Sequence, residues 1–473
     1  MKFFTLPFII CLLPLLQVFS QNSNPNLSNK RILELQDSIA KKAATVLHEI
    51  SYVPPAGARY KEIRSVEPSV QPVIIDIAGN LGNKKTFKLS DIASSVRYVI
   101  MQNPPGSKYK MISEIVSDDE HIFIKTGDGL FCYSTNGQYM YPVYLNQIFE
   151  EPKTFTSKGG TKAMVITKDD RMNGITGNVD LLNGKLFFRT SEESTGRWFN
   201  VYDVKEMDSK HSFNIKSNEL IKHFPEPTVR RKIKGGGYDE RATYLWLDNE
   251  TLFTSHTLTN ILTKGDTLCK FNDYDIPTIK PQAQMLFVKS ETYRINGHVM
   301  LQKNHNDTVF LVAPPNMLIP AYVMKWGNYK PDLNQHIAGS ALEGKFVLSK
   351  WIETPKFIFI YYTDGRDYPV HRDEKKVKDY WAIYNKSTKT LTHHVPSIMV
   401  EKPYSAYTMF ENNIESVGMP FYPKGVNHKG EMYMIFSKED IKDYISTGKF
   451  PKDKLQAIYN NMPEDSFCLM LVK

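Results

Sequence analysis

The feature that most constrains this chain is a punctuation pattern. From Pro72 to the C-terminus, short apolar or alternating runs follow one another, and turn dipeptides stand between them. The runs include Val73–Ile77, Val96–Met101, His121–Lys125, Leu130–Tyr133, Lys185–Arg189, Trp198–Val204, Tyr244–Leu247, Thr251–Ser255, His298–Gln302, Thr308–Val312, Phe346–Lys350, Lys356–Tyr362, Tyr380–Tyr384, Glu431–Phe436 and Ser466–Val472. They are rich in Phe, Tyr, Val, Ile and Thr, as half-buried strands require. The punctuation includes Asp128-Gly129, Asn136-Gly137, Asn183-Gly184, Asn296-Gly297 and Lys429-Gly430. Asn-Gly accepts the left-handed dihedrals of a two-residue hairpin, so these pairs predict antiparallel neighbours. A chain built this way is all-β, with helices only at its edges. One helical insertion is predicted over Ser437–Thr447, continued by Asp453–Asn461.

Repetition narrows the class further. Gly265-Asp266-Thr267-Leu268 echoes Asn306-Asp307-Thr308-Val309, and Asn183-Gly184-Lys185 echoes Asn296-Gly297-His298. Weak repetition of sheet-forming units is the trace a β-propeller leaves, and a single β-sandwich rarely consumes this much chain.

The start of the chain reads differently. Met1-Lys2, an apolar stretch from Phe3 to Leu16 and Val18-Phe19-Ser20 have the layout of a secretory signal, predicting cleavage after Ser20 and export to the periplasm or beyond. Losing Lys2 with it lowers the formal charge from +8 to +7. After a polar tether, Ile32, Leu35, Ile39, Ala43, Val46 or Leu47, and Ile50 recur at helical steps, predicting one amphipathic helix that Pro54-Pro55 stops. Three regions follow: a signal over 1–20, a helix and linker over 21–71, and a propeller over 72–473. No later segment is long and apolar enough to predict a transmembrane helix.

Charge and cysteine usage exclude several classes. The densest basic run, Arg230-Arg231-Lys232-Ile233-Lys234, is isolated and leads into Gly235-Gly236-Gly237, which lacks the Lys-Ser/Thr of a phosphate loop. Nucleic acid is not an expected partner. Cys132, Cys269 and Cys468 are widely spaced without a Cys-x-x-Cys, which argues against a zinc site or a disulfide framework but leaves open whether two of them pair.

Several stretches resemble a family of secreted six-bladed β-propellers of Gram-negative bacteria that includes domains of unknown function. The stretches are "VIIDIAGN", "FKLSDIASSVRYVIMQNPPGSKYKMISEIVSDDEHIFIKTGDGLFCYSTNGQYM", "YRINGHVMLQKNHNDTVFLV" with "IPAYVMKWG", and "MPFYPKGVNHKGEMYMIFS" with "SFCLMLVK". The resemblance implies six blades over most of residues 72–473, the strand at Val73–Ile77 completing a blade with C-terminal strands around Cys468–Val472. It implies no catalytic residues.

Candidate chemistry is sparse. There is no His-x-His and no His-Glu-x-x-His, and His393-His394 on a strand would point to opposite faces, so neither a metal nor a cofactor is expected. Asp118-Asp119-Glu120 lacks the ligand ladder of a calcium loop and reads as a solvated hairpin turn. Asn304-His305-Asn306-Asp307 reads as a turn entering a strand. The expected ligand-binding residues are the loop aromatics Tyr404, Tyr407, Phe421 and Tyr422, beside Asn413, with Arg241 contacting an anion from a surface loop. The leading functional expectation is a non-enzymatic module binding a glycan, a peptide or an envelope protein. Its rivals are a carbohydrate-active hydrolase or lyase with carboxylates at the central channel, and a structural subunit of an envelope assembly.

Overall fold

The computed structural model describes residues 61–63, 72–104, 112–146, 154–156, 162–164, 174–192 and 196–209, and short backbone stretches between 222 and 271. It also describes residues 290–473 apart from 297, 304–305, 314–316, 333–343, 365–377, 403–404, 416–418 and 447–451. The signal and the amphipathic helix expected over residues 1–50 lie outside the described residues.

The described strands form a β-propeller. Blade 1 runs Ile112–Ser117, His121–Thr126, Gly129–Ser134 and Tyr139–Leu145; blade 2 runs Gly174–Leu182, Lys185–Glu192, Gly196–Asp203 and Lys222–Pro225. Blade 3 takes Ser290–Ile295, His298–Lys303, Thr308–Ala313 and Met317–Lys325; blade 4 takes Phe346–Glu353, Phe357–Asp364, Lys378–Asn385 and Thr390–His394. Blade 5 takes Gly425–Val426, Met432–Ser437, Phe467–Val472 and, from the N-terminal side of the chain, Val96–Ile100. Consecutive strands within each blade are antiparallel.

Hairpin chemistry sets the local geometry. Between the first two strands of blade 2, Asn183 (φ 51°) and Gly184 (φ 71°) both take positive φ, the conformation a two-residue hairpin loop demands. The expected turn at Asn306-Asp307 is also found: Asn306 Oδ1 accepts the Thr308 amide at 2.8 Å, and Asp307 pairs with Lys330 at 2.7 Å.

Blades stack face to face through apolar seams, so their middle strands are buried on both sides. Strand Phe467–Val472 is buried along its whole length, and its side chains alternate between two seams. Cys468, Met470 and Val472 pack toward blade 4, and Phe467, Leu469 and Leu471 toward blade 1. A third seam joins blades 1 and 2 through Phe123, Leu130, Leu186 and Phe188; a fourth joins blades 3 and 4 through Leu311, Ile319, Ile358 and Ile360.

The resemblance implies six blades; five are found. These are the five joined by the four apolar seams. The strands over Tyr244–Trp246, Thr251–Thr254, Thr257–Asn260 and Asp266–Phe271 form a further sheet with Lys61–Ile63, whose side chains lie outside the described residues. Its strand Tyr244–Trp246 runs beside Gly174–Leu182 of blade 2 and Ser290–Ile295 of blade 3.

The expected ring closure needs a second correction. Val73–Asp76 does not pair with the C-terminal strand; it pairs in parallel with Met317–Lys325 at the outer edge of blade 3. The partner of Phe467–Val472 is Val96–Ile100, in antiparallel register from Cys468↔Ile100 to Val472↔Val96. Both N-terminal segments are apolar and strand-like, so composition alone could not choose between them.

The predicted helical insertion is present as Lys438–Ser446 and Lys452–Asn461, between the second and third strands of blade 5. Ile441, Tyr444, Leu455 and Met462 bury it against the seam between blades 4 and 5. Antiparallel alternation puts the C-terminal ends of the first and third strands of every blade on one face of the ring. This is the face that carries the site described next.

Candidate functional site

A shallow cleft opens on that face at the seam between blades 5 and 1, with a cavity of about 20 Å³, room for a water-sized group. Its floor is apolar: Ile115, Ile122, Leu469 and Leu471. Its walls carry Arg97, Asp118, Asn427, Lys429, Glu431 and Tyr433.

Two hairpin turns hold the walls. In blade 1, the Asp118 carboxylate accepts the Glu120 amide at 2.8 Å and the His121 amide at 2.7 Å. In blade 5, Asn427 Oδ1 accepts the amides of Lys429 at 3.0 Å and Glu431 at 2.9 Å. Asp and Asn fold such turns because their short side chains bond the backbone two to four residues on. The two turns are tied to each other: Lys429 Nζ lies 2.9 Å from Asp119, His428 Nε2 lies 3.6 Å from it, and Ser117 Oγ meets His428 Nδ1 at 3.3 Å. Lys429, ahead of His428, holds the Asp119 carboxyl below its usual range. Asp119 is exposed, so this tie is weak in water.

Behind the blade 1 turn stands His121, buried, with a carboxylate on each ring nitrogen. Nδ1 is 3.0 Å from Asp118 Oδ1, and Nε2 is 3.0 Å from Asp208 Oδ2 on the short helix Val204–Ser209 of blade 2. Tyr141 donates its hydroxyl to the other oxygen of Asp208 at 2.8 Å. Asp118 raises the His121 pKa above its ordinary value against the opposing effect of burial. Burial pushes Asp118 up in turn, but its bonds from His121 and the amides outweigh this and hold it low. Nearby Cys132 is buried and its thiol is pushed up to about 12, which leaves it inert.

A second polar group lies on the inner ring, where the first strands of neighbouring blades run side by side. Register shifts interrupt blade 1 between Ile112 and Glu114 and blade 2 between Thr176 and Val179. A bulge leaves backbone groups out of the ladder. Here the freed Val179 amide donates to Glu114 at 2.8 Å. On the next residue, Asp180 accepts Arg294 of blade 3 at 2.6 Å. Burial, with the nearby Asp180 charge, pushes Glu114 up to about 7 despite the Val179 bond and Lys125.

The residues expected from sequence to bind ligand are placed elsewhere. Phe421 is fully buried and Tyr422 nearly so, both in the seam between blades 4 and 5, so a ligand would reach them only by opening that seam. Tyr422 packs on Trp381 at 5.6 Å, and the Lys350 and Lys424 ammoniums each lie 4.9 Å from its ring centre. Asn413 is exposed and exchanges hydrogen bonds with Ser90. Tyr407 falls on strand Ser405–Met409, its side chain outside the described residues, as are Tyr404 and Arg241 altogether. The strands Arg231–Lys232 and Tyr238–Asp239, on either side of the glycine run in sequence, pair antiparallel. His393 and His394 take separate partners: Tyr362 Oη at 2.9 Å from His393 Nδ1, and the Phe87 amide at 3.1 Å donating to His394 Nδ1. Among the described residues, no three His, Cys, Asp or Glu side chains are grouped to hold a metal, and no helix is long and apolar enough to cross a membrane. Cys132 and Cys468 are both free thiols; Cys269 has no described side chain.

Sequence reasoning missed His121, Asp208, Glu114 and Asp180. The Asp118-Asp119-Glu120 turn was legible, but nothing local announces that the histidine after it meets a carboxylate from the next blade.

Among solved structures, the chain is similar to a protein of Bacteroides fragilis thought to be exported. The two share 13% identity with a TM-score of 0.49, over 85% of this chain and 99% of that one. It is also similar to a member of the DUF4221 family from Bacteroides vulgatus, with 8% identity and a TM-score of 0.39, over 81% and 97%. A third, a protein of unknown function from Bacteroides thetaiotaomicron, has 8% identity and a TM-score of 0.33, over 80% and 77%. No curated protein matches. A family model matches residues 55–447, and the chain therefore belongs to the family described as Domain of unknown function (DUF4933).

Proposed function

We propose that the chain is an exported, non-enzymatic binding module that takes a peptide segment of a partner protein across the cleft between blades 5 and 1. The observation that carries this is the make-up of that cleft: an apolar floor of Ile115, Ile122, Leu469 and Leu471 under walls bearing both charge signs, Arg97 and Lys429 with Asp118 and Glu431. An apolar floor with a few convergent polar groups is the usual anatomy of a binding pocket. A peptide laid across its mouth offers what such a surface can use: backbone donors and acceptors for the polar walls. Export is proposed from the secretory layout of residues 1–20.

The test is selection of displayed peptides against residues 21–473, with affinities of the winners remeasured on Lys429→Glu and Arg97→Glu. Loss of about tenfold in affinity, about 1.4 kcal/mol, on either variant is expected. Winners that bind both variants as tightly as the parent would sink the cleft as the site.

One observation favours a second reading, a carbohydrate-active hydrolase or lyase. Glu114 stands near Asp180 on the inner ring and carries a proton to about pH 7, the behaviour of a general acid. Glycan turnover by the parent chain that disappears in Glu114→Gln would establish that reading over the first.

A further inference from the structure

The turn that walls the cleft is fastened on both sides, and the two fastenings differ in kind. Toward blade 5, exposed Asp119 meets Lys429 and His428. Toward blade 2, buried His121 stands between Asp118 and Asp208, each 3.0 Å from a different ring nitrogen. A neutral imidazole has one N–H, so it can donate to only one of two carboxylates. Its other nitrogen then turns a lone pair toward a carboxylate oxygen. Both contacts are favourable together only when the ring is protonated.

Resting on the cleft as the binding site, we propose that the Asp118–His121–Asp208 bridge is a proton-operated latch. Protonated, it holds the blade 1 turn against blade 2 and fixes the cleft wall; deprotonated, it releases the turn.

The groups that face the ring are few. Asp118 and Glu120 come from its own turn, Asp208 from helix Val204–Ser209, and Tyr141 acts through Asp208. Cys132 lies on the neighbouring strand and feels both aspartates, and the Phe123 ring is 5.8 Å away. Among these, the imidazole of His121 is the group whose ordinary titration range lies near neutral. The sign follows from the raised histidine and lowered Asp118. The latch is closed from mildly acidic pH up to the ordinary histidine range, and it opens as pH rises through the raised value. A free-energy link of this kind stabilises the folded turn below that pH and is lost above it.

The test uses residues 21–473 and two readouts that need no ligand: titration of the His121 ring by NMR, and amide-exchange protection of residues 117–121 and 427–430, corrected for intrinsic rates. Between pH 6 and 9, protection in both turns is expected to fall about tenfold. In Asp208→Asn the midpoint should move down toward that of a free histidine, and in His121→Gln protection should not vary with pH. A third readout is affinity for the tightest selected peptide over the same range, expected to fall with protection. Flat protection in the parent chain, or a midpoint unmoved in Asp208→Asn, would overturn the latch. Peptide affinity that stays constant while protection falls would overturn its control of the cleft. If protection behaves as expected and no peptide binds at any pH, the latch stands and the peptide-binding reading fails.

Discussion

At the scale of single residues, polar groups also tie neighbouring blades together across the apolar seams. The seam between blades 3 and 4 is largely apolar, yet Glu353 lies buried in it. Its oxygens accept the Tyr322 hydroxyl at 2.7 Å and the Tyr293 hydroxyl at 2.6 Å, and the buried Lys386 ammonium pairs with it. Trp351 donates to the Tyr293 oxygen at 2.7 Å, so two blades share one network. Burial pushes both tyrosine hydroxyls well above their usual range, which keeps them neutral donors. Lys386→Met would leave Glu353 buried without its counter-charge, and a loss of about 3–5 kcal/mol is expected in urea unfolding. Adding Glu353→Gln should recover part of that loss, because the amide oxygen still accepts from a tyrosine while the unpaired charge is gone. A double variant less stable than Lys386→Met alone would show that charge is not the issue. None of these partnerships was legible in the sequence, since each links residues that only the fold brings together. The same holds for His121 and Asp208 in the latch.

At the scale of elements, the sequence was most legible where a strand is plain. The runs His121–Lys125 and Ser466–Val472 were read within a residue or so of the strands His121–Thr126 and Phe467–Val472, because buried middle strands are continuously apolar. The strands missed were first and last strands of blades, among them Ile112–Ser117, Gly174–Leu182, Ser290–Ile295, Tyr139–Leu145 and Lys222–Pro225. The first strands face the inner ring, carry Glu114, Asp180 and Arg294, and in blades 1 and 2 are broken by bulges. Alternation fails there because polar groups replace apolar ones and bulges shift the register. Outer edges show another device. Val73–Asp76 and Lys84–Lys85 pair in parallel with the last strands of blades 3 and 4, covering edges that would otherwise be open to other chains. Within Val73–Asp76, Ile75 is buried and Ile74 is 46% exposed, so register decides which side chain matters. Ile75→Ala is expected to cost about 2–5 kcal/mol and Ile74→Ala less than about 0.5. Equal costs in thermal or urea unfolding would place this strand in the wrong register.

At the scale of the whole molecule, the ring closes by joining the two ends of the propeller chain. The principle was legible from apolar strands at both ends; the N-terminal partner was not, since Val73–Ile77 and Val96–Met101 look alike and only tertiary pairing separates them. Closure concentrates dependence in one strand. Phe467–Val472 supplies the ladder partner of both Met432–Ser437 and Val96–Ile100, and its alternating side chains serve the seams to blades 4 and 1 at once. Removing it would leave two strand edges unpaired and both seams short of apolar area, including Leu469 and Leu471 of the cleft floor. A chain ending at Ser466 is therefore expected to lose the single cooperative unfolding transition and to aggregate, as open sheet edges do. A synthetic peptide of residues 464–473, added in trans during refolding, should restore the transition, whereas the same peptide with Leu469→Lys and Leu471→Lys should not. Calorimetry and size-exclusion chromatography read both outcomes. A truncated chain that melts at the parent temperature would mean that the ring does not depend on this strand for closure.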